Sequence, residues 1–142
     1  MTQRYPLAWK LVYVAWVVAA SATLGALFFG EVMGLPPCLL CWYQRICMFP
    51  LALLLPLGLL PFDPRVVRYS LPLALIGLAI AIFHQLLVAG WVPKSFEPCA
   101  RGVPCSKTVI ELLGFLTIPW MSIAAFATIV VLLVLAHLRR EK

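Results

Sequence analysis

Four stretches of this sequence, 11–29, 46–62, 69–92 and 112–136, contain no Asp, Glu, Lys or Arg. A hydrocarbon core about 30 Å thick is crossed by roughly 20 consecutive apolar residues in a helix, so each stretch supplies one membrane span. The residues are 64% hydrophobic and 11% charged, against about 45–50% and about 25% in soluble domains. That composition excludes a soluble globular fold. Four spans with short connections consume the 142 residues and leave no room for a second domain. The expected architecture is an all-α four-transmembrane-helix bundle, one membrane domain over 1–142, with spans at about 11–29, 46–62, 69–90 and 118–138. The fourth is trimmed because Pro119 suits a first helical turn. Pro50, Pro56 and Pro72 fall inside spans, where neighbouring helices satisfy the backbone groups that proline frees.

Charge sets orientation. Four spans put both termini on one side, and Arg4, Lys10, Arg65, Arg68, Arg139, Arg140 and Lys142 share that side, against Arg45, Lys94, Arg101 and Lys107 opposite. Under the positive-inside rule the termini and the Arg65/Arg68 turn are cytoplasmic, and outer loops cover 30–45 and 91–117. The net charge of +6 is thereby explained by topology and anionic headgroups, without nucleic acid. A cleaved secretory signal is disfavoured, because the first apolar run continues to Phe29, beyond the usual core of a signal. Trp9, Trp42, Trp91 and Trp120 sit at span ends and read as an interfacial belt.

Of five cysteines, Cys38 and Cys41 follow span one, while Cys99 and Cys105 follow span three. Both pairs therefore face the outer, oxidising compartment, where disulfides form and persist. Cys41 lies at the mouth of span two with Arg45 four residues on, on the same helical face and one turn deeper. A sulfur at a helix N-terminus beside a cation is set up to act as the thiolate nucleophile. Cys47 falls off that face and reads as a small packing residue. Arg45 at the edge of span two and His84 within span three are ionisable groups near the cysteines' end of the bundle, and such groups are functional-site candidates. Gln44 and Gln85 are less specific. In the second outer loop, Thr108-Val-Ile-Glu111 matches a capping box, so a short amphipathic helix carrying Val109, Ile110, Leu112, Leu113 and Phe115 is expected there, lying on the membrane surface.

Two motifs then carry a resemblance: Cys38-Leu-Leu-Cys41-Trp-Tyr-Gln-Arg45, and Cys99-Ala-Arg-Gly-Val-Pro-Cys105 followed by Leu113-Gly-Phe-Leu-Thr-Ile-Pro119. With the order of apolar runs, they resemble the disulfide bond formation protein B family, in its short BdbC-type bacterial branch. The resemblance implies a cytoplasmic-membrane protein that reoxidises an extracytoplasmic thioredoxin-fold thiol oxidase and passes the electrons to a bound quinone, ubiquinone or menaquinone. It further implies that the partner's thiolate attacks Cys99, the mate of Cys105. Cys38 exchanges with that loop pair, Cys41 stacks on the quinone, and Arg45 and His84 bind it. Close spacing of Cys99 and Cys105 departs from longer family members and is shared by the short branch. Two rival readings stand apart from this chemistry: a structural or transport protein whose disulfides only staple loops, and a four-cysteine zinc site. An oxidising face and the adjacent Arg45 charge disfavour the zinc site.

Overall fold

The computed structural model describes residues 6–97, 111–112 and 116–140. Four long helices make up most of it: α1 (Pro6–Leu27), α2 (Leu39–Leu57), α3 (Arg65–Val88) and α4 (Ile118–Arg140). At 19 to 24 residues and 1.5 Å per residue they run about 28–36 Å, long and apolar enough to cross a membrane. Each packs on two neighbours, α1 on α2 and α4, and α3 on α2 and α4, so the helices follow one another around a four-membered ring.

The seam of that ring follows a seven-residue repeat. Buried positions on α3 are Val67, Ser70, Ala74, Gly77, Ala81, His84 and Leu87, three or four residues apart. Ala8, Val12, Ala15 and Ala19 repeat the pattern on α1, as do Phe126, Ile129, Leu133 and Ala136 on α4. Steps of three and four keep one stripe facing the partner helices, and small residues let backbones approach where lipid offers no hydrophobic drive. At the tightest crossing the Phe126 ring lies on Gly77, in the space a β-carbon would fill. Off the seam, Leu24, Leu53, Leu57, Ile76 and Val131 are exposed, as lipid-facing side chains are.

Local chemistry accounts for the helix ends. α3 stops in a Schellman motif, with Gly90 at φ +79, Trp91 N–H donating to the Leu86 carbonyl and Gly90 N–H to that of Leu87. Between α2 and α3, Asp63 Oδ1 accepts from the Arg65 N–H at 2.9 Å, satisfying a first-turn donor. α1 continues into a π-helical turn, Phe28–Val32. Pro56 deprives the Ala52 carbonyl of its helical donor, and the Trp16 indole Nε1–H supplies one from α1 at 3.1 Å.

The helices run past the charge-free stretches: α2 begins at Leu39, ahead of the uncharged run from Ile46, and α3 at Arg65, ahead of that from Tyr69, because a charge limits a lipid-facing span without limiting a helix. The short amphipathic helix of the second outer loop is not present where that loop is described. Glu111–Leu112 (β1) pairs antiparallel with Leu116–Thr117 (β2), Glu111 opposite Thr117 and Leu112 opposite Leu116. Backbone committed to that ladder is not available for helical bonding, so Glu111 does not close a capping box. Thr108, Val109, Ile110, Leu113 and Phe115 lie outside the described residues.

Candidate functional site: a dithiol beside an apolar cavity

Two prolines, Pro36 and Pro37, lead into α2 and hold the chain extended up to Cys38, which caps the helix at φ −73, ψ 171. Cys41 then falls in the first turn, where backbone N–H groups lack helical partners. Cys38 is buried, Cys41 half-buried, and their Sγ atoms are 3.2 Å apart. Across the bundle His84 of α3 brings its Nε2 to 3.9 Å from Cys38 Sγ. Cys38 also belongs to a buried cluster with Leu40 and Leu87, against which Val92 packs at the root of the outer loop. The hydrogen bond with Cys41 and then burial push the Cys38 thiol up to about 12, with His84 acting in the opposite direction.

His84 is held from behind. Its Nδ1 lies 3.1 Å from the Gln44 carboxamide Nε2, and Gln44 Oε1 accepts from the Ser122 hydroxyl at 2.6 Å. Gln44 and His84 are each nine-tenths or more buried, so α4, α2 and α3 are tied by one polar chain, Ser122–Gln44–His84–Cys38. Polar groups buried together in a low-dielectric bundle fix its geometry when their bonds are satisfied. With Gln44 donating to Nδ1, His84 carries its hydrogen on Nε2, toward the Cys38 sulfur.

Arg45 reaches from α2 to α1. Its Nη2 donates to the Ala26 carbonyl at 2.8 Å, next to the π-helical turn, and its guanidinium stands 5.4 Å from the Trp42 ring centroid, a cation–π contact. Gly30 admits it, since a β-carbon there would stand 2.9 Å from Nη2. π-turns often mark functional sites, and here the turn shapes a binding wall. Cys38, Cys41, Gln44, Arg45, His84 and Ser122 all border one cavity of about 500 Å³, whose remaining wall is mainly apolar and includes Val18, Phe29, Met48 and Phe126. Ligand sites are commonly about 300–1,000 Å³, apolar with a few convergent polar groups.

The sequence-predicted residues Cys38, Cys41, Arg45 and His84 therefore meet at one place. Cys47 lies apart from them, in the apolar core with Met48 and Leu51. Cys99 and Cys105 lie outside the described residues. Gln44 was underweighted and Ser122, Ala26 and Gly30 were missed. For Gln44 a signal existed: it occupies a seam position between Leu40 and Met48, where an uncompensated amide would be costly. Ser122 and Gly30 gave none, because their role is set by which helix lies opposite.

The family model described as disulfide bond formation protein DsbB matches residues 8–136. A protein from Bacillus subtilis named disulfide bond formation protein C is 46% identical over 92% of this chain and 93% of its own. A probable disulfide formation protein from Metapseudomonas resinovorans is 45% identical over 92% of each, and one from Chlamydia trachomatis is 42% identical over 87% and 90%. No solved structure matches. By its family model, by relatives of this identity and by four membrane-capable helices, the chain belongs to the disulfide bond formation protein DsbB family, as a multi-pass membrane oxidoreductase that generates disulfides.

Proposed function

We propose that this protein reoxidises a thioredoxin-fold dithiol oxidase outside the bacterial cytoplasm and delivers the two electrons to a quinone. The observation that carries the reading is the Cys38–Cys41 pair set on the wall of an apolar cavity that also holds Arg45 and His84. Size and lining fit a quinone ring, whose two oxygens need donors and whose faces need apolar contact. A quinone bound there supplies the two-electron acceptor.

The chain's own residues do the rest. Partner thiolate attacks the Cys99–Cys105 disulfide, giving a mixed disulfide that the partner's second thiol resolves, so the partner is oxidised and the loop pair reduced. A loop thiolate then attacks Cys38 of the Cys38–Cys41 disulfide, and Cys41 leaves as the thiolate. Resolution by the second loop thiol restores Cys99–Cys105 and leaves Cys38 and Cys41 reduced. Cys38 belongs to a buried cluster with Leu40 and Leu87 against which Val92 packs, and that placement near the start of the loop carrying Cys99 and Cys105 supports this division. Cys41, half-buried beside the cavity, is the sulfur that faces the acceptor. A raised pKa keeps Cys38 protonated at neutral pH. Arg45 has five donors, and its bond to Ala26 fixes the guanidinium at the cavity wall, where a second donor meets an oxygen that gains charge. His84, with its Nε2 beside Cys38, adds a polar group to the same cavity wall. Both termini are cytoplasmic and the cysteines outside, as the distribution of Lys and Arg requires.

The test is the purified protein in liposomes with a reduced thioredoxin-fold dithiol protein and a short-chain quinone. One quinone should be consumed per disulfide made, with dependence on all four cysteines. Oxidation at an equal rate without quinone, or without Cys99 and Cys105, would overturn the reading.

A further inference from the structure

The cysteine pair and His84 form a second kind of site. Cys38 Sγ, Cys41 Sγ and a ring nitrogen of His84 all lie within 4.8 Å of one another, with Cys38 Sγ at 3.2 Å from Cys41 Sγ and 3.9 Å from His84 Nε2. Tetrahedral zinc has Zn–S of about 2.3 Å and Zn–N of about 2.0–2.1 Å, which sets sulfurs roughly 3.8 Å apart and sulfur from nitrogen roughly 3.6 Å. The sulfur pair stands about 0.6 Å closer than that and the Cys38–His84 pair about 0.3 Å wider, adjustments within reach of side-chain rotation.

What lies behind the imidazole matters as much. A metal-bound histidine carries its remaining hydrogen on the other nitrogen and donates it to an oxygen, and loss of that partner typically costs 10–100-fold in affinity. Gln44 faces Nδ1 of His84 and is itself held by Ser122. A half-turn of the carboxamide puts Oε1 on His84 and Nε2 on the Ser122 hydroxyl, so one set of positions serves either tautomer. The opposing charge of Arg45 is turned toward the Ala26 carbonyl and the Trp42 face. All three ligand residues border the cavity, which leaves a fourth coordination position open to water or a ligand.

We propose that reduced Cys38 and Cys41, with His84 supported by Gln44 and Ser122, bind one zinc ion. This is a Cys2His set with an open position, distinct from a four-cysteine site spanning both loops. Two thiol protons are released, two S–Zn bonds and one N–Zn bond form, and no oxidation state changes. Sulfurs held by zinc are withdrawn from disulfide formation, so zinc arrests the protein in its reduced form until the metal dissociates. The inference rests on the reading that this pair passes through the dithiol state during turnover.

The experiment uses the full chain in detergent with Cys99→Ala and Cys105→Ala, reduced and stripped with a chelator. It is titrated with Zn2+ against a coloured chelator, and with Co2+ as a spectroscopic probe. Expected are one equivalent of zinc per chain, a thiolate-to-cobalt absorption band and protection of both cysteines from alkylation. The reoxidised protein should bind none. Gln44→Leu should weaken zinc binding about 10–100-fold, His84→Ala by more, and Cys47→Ala not at all. Equal binding by reduced and reoxidised protein, or zinc affinity unchanged in His84→Ala, overturns the site. Neither quinone nor partner is present, so failure here leaves the electron-transfer reading intact, and failure of quinone reduction leaves the metal site intact.

Discussion

At the end of the bundle carrying the chain termini, Trp16 gives its indole N–H to the Ala52 carbonyl of the α2 half that contains Pro50 and Pro56, and Trp9 gives its own to the Leu59 carbonyl just beyond that helix. At the opposite end, Ser122, Gln44, His84 and Cys38 are linked side chain to side chain around a cavity. The first end spends its polar contacts on backbone carbonyls, one of which Pro56 had freed. The second aims them at a sulfur and leaves a space beside it. A membrane bundle has no water inside to satisfy stray polar groups, so the side on which they cluster separates support from chemistry. Substitutions at the two ends should then fail in different ways.

The largest expected effect is on the cavity side. Cys41→Ala should reduce quinone-dependent disulfide formation to background while thermal unfolding in detergent stays near that of the parent. The same variant probes Cys38, whose thiol is raised to about 12 chiefly by its hydrogen bond with Cys41. A thiol with a raised pKa stays protonated through neutral pH, so iodoacetamide labelling of Cys38 in the reduced parent should climb about tenfold per pH unit with no plateau by about pH 10. Removing Cys41 should shift that profile to lower pH. A Cys38 profile identical in parent and variant would show that Cys41 does not hold the proton there.

Next comes the packing between the two ends. Gly77→Val puts a branched side chain where the Phe126 ring lies, and overpacking of this kind costs typically 1–3 kcal/mol, occasionally more. A value of about 3 kcal/mol is expected, because a ring fully buried among four helices has nowhere to turn. Guanidinium chloride or thermal unfolding measures it. Phe126→Leu in the same chain should recover part of the loss, as neighbours in contact are not additive.

Arg45→Met follows. One charge-assisted hydrogen bond in a dry site is worth about 1.5–3 kcal/mol, or roughly one to two decades in quinone affinity or rate. Steady-state oxidation against quinone concentration reads it, alongside trapping of the mixed disulfide between partner and Cys99, which should persist. An unchanged quinone dependence would make Arg45 a cross-brace to Ala26 alone and bring its end of α2 closer to the supporting kind.

How much of this was legible in the sequence depends on which neighbour sets the outcome. Four apolar runs gave four helices because lipid imposes length on any span. The meeting of Cys38, Cys41 and Arg45 followed from spacing on one helix. By contrast, the Arg45 guanidinium finds the Ala26 carbonyl beside Gly30, outside its own helix, and no local pattern announces that. Ser122 was invisible for the same reason. The surface helix drawn through Glu111 is not confirmed, since Leu112 pairs with Leu116, a contact that a four-residue capping signal does not report.

The smallest effect sharpens the comparison most. Trp16→Phe keeps the ring within the α1–α2 contact and removes only the N–H that serves the Ala52 carbonyl. Side-chain hydrogen bonds between membrane helices average about 0.6 kcal/mol and reach about 1.7, so a stability loss of about 1 kcal/mol is expected, with disulfide formation unchanged. The cause is isolated by a second change on the partner helix. Pro56→Ala restores an N–H four residues after Ala52 and returns the carbonyl to ordinary helical bonding. In that background Trp16→Phe should cost almost nothing, and the coupling between the two substitutions measures the indole bond directly. If Trp16→Phe cost the same with Pro56 and with alanine at that position, the indole would contribute through its size alone. The proline would then be tolerated without help from α1, and the supporting end of the bundle would owe its stability to packing.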